Sequence, residues 1–185
     1  AQHYPSARIE FLPTAGNPFK QTQTRPQQRL AMLKSALRES AFGINRSEIF
    51  ATAPTYTLDT LQKIRQQIGT QRPLIFVLGQ DSLLSLPRWK GGLALLGLTH
   101  LWVFARPDHS SADVPEWASA YLILKPELLQ QQTHGLIYLD PRAPPAISSS
   151  QIRHNIHLHR PLVPKRVWTY NQRAHLYGFA KPNDL

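Results

Sequence analysis

Two stretches of this chain carry residue types that could handle an anionic ligand. The first is P-L-I-F-V-L-G-Q-D-S-L-L-S-L-P-R-W-K, from Pro73 to Lys90. Its run from Leu74 to Gly79 reads as a strand buried on both faces, and polarity then switches on at Gln80 and Asp81. A polar pair at the carboxyl end of such a strand stands where open α/β sheets bind ligands. Asp81 could accept hydrogen bonds from ribose hydroxyls, or Asp81 or Ser82 could cap the following helix. Trp89 offers a flat face to a planar ring, or it is an ordinary rim aromatic.

The second stretch is I-S-S-S-Q-I-R, from Ile147 to Arg153. Ser148, Ser149 and Ser150 fall where a loop turns into a helix, so hydroxyls and free backbone N–H groups could hold phosphate oxygens. Arg153, one turn after Ser149, can add a bidentate charge-assisted contact. Serines in this position serve more often as caps, so both readings stand. Tyr56 and Thr57, in T-Y-T-L-D-T-L, form either a helix start or part of a binding wall. His154, His157 and His159 invite a metal hypothesis, the first two on one helix face, but no acidic partner lies at ligand spacing. There is no G-x-S-x-G, no G-x-x-x-x-G-K-[ST] and no G-x-G-x-x-G. Hydrolase, P-loop and dinucleotide-fingerprint readings lose their usual support.

The elements that must position these residues follow from periodicity. Arg8 to Leu12 reads as a strand stopped by Pro13, and Pro26 opens a helix with Leu30, Leu33 and Leu37 on one face, which Gly43 ends. Ile44 to Ala51 reads as a further strand. Thr55 or Thr57 can cap a helix whose inner face is Leu58, Leu61, Ile64 and Ile68. After Trp89, Gly92 to Gly97 looks like a short helix and T-H-L-W-V-F-A another buried strand. From Asp108 to Thr133 the pattern loosens into a solvated excursion. Leu136 to Leu139 is a short strand, and 164–177 a terminal helix with Val167, Tyr170 and Ala174 inward. Strand and helix alternate throughout, the pattern of a doubly wound parallel sheet.

Composition narrows the partners. The chain has 185 residues, 42% of them hydrophobic, which suits one well-buried domain. Lys and Arg number 21 against 11 Asp and Glu, a net charge of +10 that favours anionic ligands such as nucleotides, pyrophosphate or a nucleic acid backbone. No apolar run approaches the roughly 20 residues of a membrane span, and the start lacks a signal-peptide pattern. The chain has no cysteine, which excludes disulfides and thiolate zinc sites and fits a reducing cytoplasm.

In order along the chain, V-L-G-Q-D-S-L, P-R-W, A-R-P, I-S-S-S-Q-I-R and V-P-x-x-V-x-x-Y together closely resemble the bacterial nicotinate-nucleotide adenylyltransferases. Upstream, P-T-A-G-N-P-F-K, R-L-A-M-L and T-Y-T-L-D-T-L look like the family's substrate loop, first helix and Y-T-x-x-T-L element. The resemblance implies a Rossmann-like sheet of the nucleotidyltransferase type. It also implies transfer of adenylyl from ATP, with Mg2+, to nicotinate mononucleotide, giving deamido-NAD and pyrophosphate in the cytoplasm. Carried over by residue, Asp81 and Trp89 would line the pyridine nucleotide pocket, with Tyr56 and Thr57 helping to hold it. Lys20 would face phosphate. Ser148, Ser150 and Arg153 would bind ATP phosphates, Arg153 stabilising their charge, and Arg106 would lie near adenine.

Three departures qualify that expectation. Ser150 stands where the family usually has threonine, which keeps a hydroxyl. Phe19 replaces a histidine in the substrate loop. The family opens with G-G-T-F-D-P-x-H-x-G-H, and this sequence begins after it. The expectations are therefore a longer natural protein, a sheet lacking its first strand, weak catalysis by these residues alone, and no certain catalytic side chain. The rival enzyme readings change the acceptor to nicotinamide mononucleotide or another phosphate ester. The rival from another class is a non-catalytic basic module for nucleotides or RNA, although nothing here resembles an RNA-binding motif. Self-association is left open.

Overall fold

The computed structural model describes residues 3–14, 24–52, 54–105, 114–142, 144–145 and 148–179. The chain divides into two compact units, Tyr56–Ala146, and Ala1–Thr55 together with Ile147–Leu185.

The Tyr56–Ala146 unit is built on four parallel strands. They are β3 (Ile75–Gly79), β4 (His100–Phe104), β5 (Leu122–Ile123) and β6 (Ile137–Asp140), in the order β3-β4-β6-β5. The register Phe76↔Leu101↔Ile137↔Leu122 and Leu78↔Val103↔Leu139 puts one row of apolar side chains on a single face. That face packs on Leu61, Leu83, Leu86, Leu95 and Leu96 to make the core. Alternation along each strand sends the other row to the opposite face, which carries Val77, Trp102 and Tyr138.

β3 departs from its reading as a strand buried on both faces. It is an edge strand among the described residues, and Val77 is 55% exposed. His100 N–H donates to the Leu74 carbonyl, so the alternate peptide groups of Ile75, Val77 and Gly79 face away from β4.

Helix α2 (Thr57–Ile68) is fastened to the sheet by Arg65, which stands at helical spacing from Leu58, Leu61 and Ile68 on the inner face, although its charge keeps it out of the apolar set. Arg65 is buried, and its guanidinium donates to the carbonyls of Leu98, Gly69, Arg72 and Thr133. Those carbonyls sit at the end of α2 and in the loops leading into β3, β4 and β6. One rigid five-donor fork thus ties together the amino-terminal side of the sheet. Burial lowers its pKa, but a guanidinium stays charged at any ordinary pH.

The stretch from 108 to 133 is more ordered than its loose pattern suggests. Its described part holds 3-10 turns at Glu116–Tyr121 and Pro126–Gln130 around β5, and Ala118, Pro126 and Leu129 are buried. Single turns and a two-residue strand are too short to leave a periodic signature. Gln130, Gln131 and Gln132 are exposed, as their polarity requires.

The other unit holds a two-stranded parallel ladder, β1 (Glu10–Phe11) with β2 (Gly43–Ile44), and helices α1 (Pro26–Leu37), α4 (Ser149–His154) and α5 (Lys165–Arg173). Both strands are much shorter than the apolar runs Arg8–Leu12 and Ile44–Ala51 imply. Polar turns follow β2 at once, with Ser47 N–H donating to the Asn45 side chain. α1 ends at Leu37, well before Gly43. It packs on α5, and an Arg166 to Glu39 ion pair joins the two neighbourhoods. In α5 Asn171 is the buried residue, while Val167, Tyr170 and Ala174 are half-buried.

Candidate functional site

Helix α2 begins at Thr57 directly after Tyr56, whose extended backbone makes it the N-cap residue; no side chain supplies the cap bond. Thr57 is therefore inside the first turn, and neither Thr55 nor Thr57 caps. The turn beyond β3 comes back to this point. α3 (Gln80–Ser85) starts immediately after Gly79, runs into a 3-10 turn at Leu86–Arg88, and delivers Trp89, Lys90 and Gly91 to the start of α2.

Three contacts close that corner. Lys90 Nζ lies 2.9 and 3.1 Å from the two Asp59 carboxylate oxygens. It also sits 4.6 Å from the centre of the Tyr56 ring, within cation–π range. Gly91 has φ +85°, and a Cβ there would lie 2.7 Å from Leu58 Cδ2, so only glycine allows this close approach. Trp89 is half-buried, packs against the core, and donates its indole N–H to Ser85 Oγ at 3.2 Å. The structure thus brings Tyr56 and Thr57 to the Trp89 turn, from stretches more than thirty residues apart.

Asp81 lies exposed in the first turn of α3. The helix leaves the strand without an intervening loop residue, so Gly79 takes the N-cap position and neither Asp81 nor Ser82 caps it. Asp81 remains at the carboxyl edge of the sheet, the edge that presents ligand-binding groups in parallel α/β folds.

A second polar group stands at the same edge. Asp140, the last residue of β6, is fully buried, and accepts the Trp102 indole proton at 3.0 Å and the Arg142 backbone N–H at 3.0 Å. The Arg142 guanidinium adds bonds of 2.9 and 2.6 Å. The Arg142 side chain, its backbone N–H and Trp102 together hold the Asp140 carboxyl below the usual carboxylate range against the opposing cost of burial. The rule that singles out Asp81, an acid ending an apolar strand, applies equally to I-Y-L-D. Asp59, Lys90 and Gly91 carried only the weak signal of a charged residue before a glycine pair.

Ser148, Ser150 and Arg153 belong to the other unit. Ser148 is the N-cap of α4: its Oγ accepts the Gln151 N–H at 3.1 Å and its own N–H donates to the Gln151 side chain. The capping reading of this serine is realised as a capping box. Arg153 and Ser150 are exposed on the next turn, with Arg153 Nη2 donating to Ser150 Oγ at 3.2 Å. Lys20 and Arg106 lie outside the described residues, as does most of the P-T-A-G-N-P-F-K loop.

The histidines do not share a helix face. α4 ends at His154, and His157 packs edge-on against Trp168 and Phe179. Among the described residues no three His, Asp or Glu side chains gather as a metal site, and no helix is long and apolar enough to cross a membrane.

The positive charge is unevenly shared. The unit containing Ser148, Ser150 and Arg153 has 13 Lys and Arg against 4 Asp and Glu, whereas the Tyr56–Ala146 unit has 8 against 7. Nearly all of the net +10 therefore falls on the side of the serine-arginine turn.

Comparison with known proteins bears on the family and the fold. Residues 1–155 match the family model described as cytidylyltransferase-like. A probable nicotinate-nucleotide adenylyltransferase of Yersinia enterocolitica is 34% identical over 186 residues, covering 96% of this chain and 84% of its own. One from Sodalis glossinidius is 40% identical over 154 residues, covering 79% of this chain and 71% of its own. Among solved structures, Plasmodium falciparum nicotinic acid mononucleotide adenylyltransferase complexed with NaAD aligns over 94% of this chain and 83% of its own. Its TM-score is 0.65 at 17% identity, which marks a shared fold. With relatives this similar over nearly its whole length, and the same parallel nucleotidyltransferase sheet, the chain belongs to the nicotinate-nucleotide adenylyltransferase family.

Proposed function

We propose that this protein transfers the adenylyl group of ATP to nicotinate mononucleotide, forming deamido-NAD and releasing pyrophosphate in NAD biosynthesis. The observation that carries the reading is the corner of Tyr56, Thr57 and Trp89, assembled at the carboxyl side of the sheet in a member of this family. Trp89 supplies the stacking face for the pyridine ring, Tyr56 and Thr57 the wall beside it, and Asp81 an acceptor for ribose hydroxyls. Ser148, Ser150 and Arg153 take phosphate oxygens; Lys20 and Arg106 are assigned to phosphate and to adenine by the family likeness alone. The concentration of positive charge in the unit that holds Ser148 and Arg153 supports giving the triphosphate to that set.

No protein nucleophile is needed. A phosphate oxygen of the mononucleotide attacks the α-phosphorus of ATP in line, a new P–O bond forms, and the bond to the bridging oxygen of the β-phosphate breaks. The leaving pair of electrons stays on pyrophosphate. Catalysis then comes from positioning and from cations set against the spreading charge. Mg2+ enters as part of the MgATP substrate, held largely by phosphate oxygens, which suits a donor set made of hydroxyls and guanidinium rather than clustered carboxylates. A cytoplasmic setting fits the absence of cysteine from the sequence.

The test is to mix the folded protein with MgATP and either mononucleotide, follow dinucleotide by chromatography, and measure binding of each nucleotide by calorimetry. Deamido-NAD formed from the nicotinate substrate supports the reading. Failure of the folded protein to bind either ATP or nicotinate mononucleotide overturns it.

A further inference from the structure

Nicotinate and nicotinamide mononucleotides differ at one group, a carboxylate in place of a carboxamide. A cation placed where that group rests favours the carboxylate, since ring stacking and phosphate contacts are the same for both. Lys90 is a cation fixed beside the ring-binding residues. Its Nζ is held over the face of Tyr56 at 4.6 Å and is anchored by Asp59 at 2.9 Å. It follows Trp89 directly in the chain. Its side chain is 48% exposed, and an ammonium carries three donors in all.

We propose that Lys90 is the specificity-determining residue that favours the carboxylate-bearing pyridine nucleotide over the amide, with Asp59 setting how strongly. The inference rests on the placing of the mononucleotide at Tyr56, Thr57 and Trp89. Lys90 donates to the nicotinate carboxylate. Asp59 works in the opposite sense: it holds part of the ammonium's hydrogen-bonding capacity, and its own negative charge opposes a second carboxylate. The pair therefore sets a moderate preference.

This arrangement makes a signed prediction that a purely structural salt bridge does not. Lys90→Gln and Asp59→Asn both break the bridge, so a structural role moves them together. A charge-selecting role moves them apart. The experiment is calorimetric binding of nicotinate and nicotinamide mononucleotides to the whole 185-residue chain. The ratio of the two dissociation constants is the readout, and circular dichroism establishes folding.

Lys90→Gln should lower the preference for the acid about tenfold, as expected for loss of one charge-assisted hydrogen bond at a half-exposed site. Asp59→Asn should raise it, and Lys90→Arg should retain it. An unchanged ratio in Lys90→Gln, or movement of both bridge-breaking variants in the same direction, overturns the proposal while leaving the adenylyltransferase reading intact. If Lys90→Gln does not fold, Asp59→Asn and Lys90→Arg decide by the same criteria. If the unaltered chain binds neither mononucleotide, both readings fall.

Discussion

The carboxylate of Asp140, without exposed surface, accepts the indole proton of Trp102 at 3.0 Å, tying the end of β6 to the neighbouring strand β4. Replacing Asp140 with alanine removes the acceptor of that hydrogen bond and the buried partner of Arg142, at a cost of about 1–3 kcal/mol. Asparagine keeps an acceptor and should cost less. The exposed Arg142 can return to water in either variant. Urea midpoints of the two variants against the parent check this order. Hydrogen bonding from Arg142, the leading cause, lowers the folded-state pKa of Asp140. Its contribution is therefore fully present above the unfolded carboxyl pKa of about 4, and is lost as pH falls from there through the lower folded value.

His100 titrates in a more accessible range. It is fully buried in β4; its Nδ1 accepts the Leu136 N–H at 3.0 Å, which leaves the ring proton on Nε2 to be donated to the Gln132 carbonyl at 2.9 Å. Burial is the main reason its pKa is lowered. A depressed folded-state pKa means stability that is present above the unfolded value of about 6.5 and lost progressively as pH falls below it. Denaturation midpoints measured from pH 7.5 down to 5 should decline, and His100→Gln should flatten that decline while lowering the midpoint at pH 7.5.

Gly91 holds the Trp89 turn against α2. Alanine there must adopt φ near +85° and push its Cβ into Leu58. The backbone term is about 1–2 kcal/mol, and the Leu58 side-chain end can swing aside only by loosening the start of α2. Gly91→Ala should therefore lower the thermal midpoint and weaken mononucleotide binding together, leaving ATP binding near the parent value. Separate titrations of the two nucleotides measure this.

The serine-arginine turn separates cap from ligand. Ser148→Ala should cost about 1 kcal/mol of stability through the lost capping box. Ser150→Ala and Arg153→Ala, both exposed, should leave the urea midpoint within about 0.5 kcal/mol. Arg153→Ala should nevertheless weaken ATP binding about tenfold and steepen no other parameter. Equal ATP affinity in Arg153→Ala and the parent would remove that residue from the phosphate site.

Some of this molecule is local enough to be read from its residues in order. The run L-I-F-V-L-G became a strand, though one with an exposed face, and T-H-L-W-V-F and the leucine spacing after Pro26 became the expected strand and helix, because backbone geometry and side-chain period act over a few residues. The motifs around Trp89 and Ser148 were legible for the same reason. What the chain order could not reveal was partnership across distance. That Lys90 would find Asp59 and Tyr56, that Arg65 would turn inward to four carbonyls, and that Asp140 would be buried with Trp102 depends on where the strands lie in the sheet. A charged residue shows no periodic signature of burial, since its burial becomes tolerable only once folding supplies its hydrogen-bond partners.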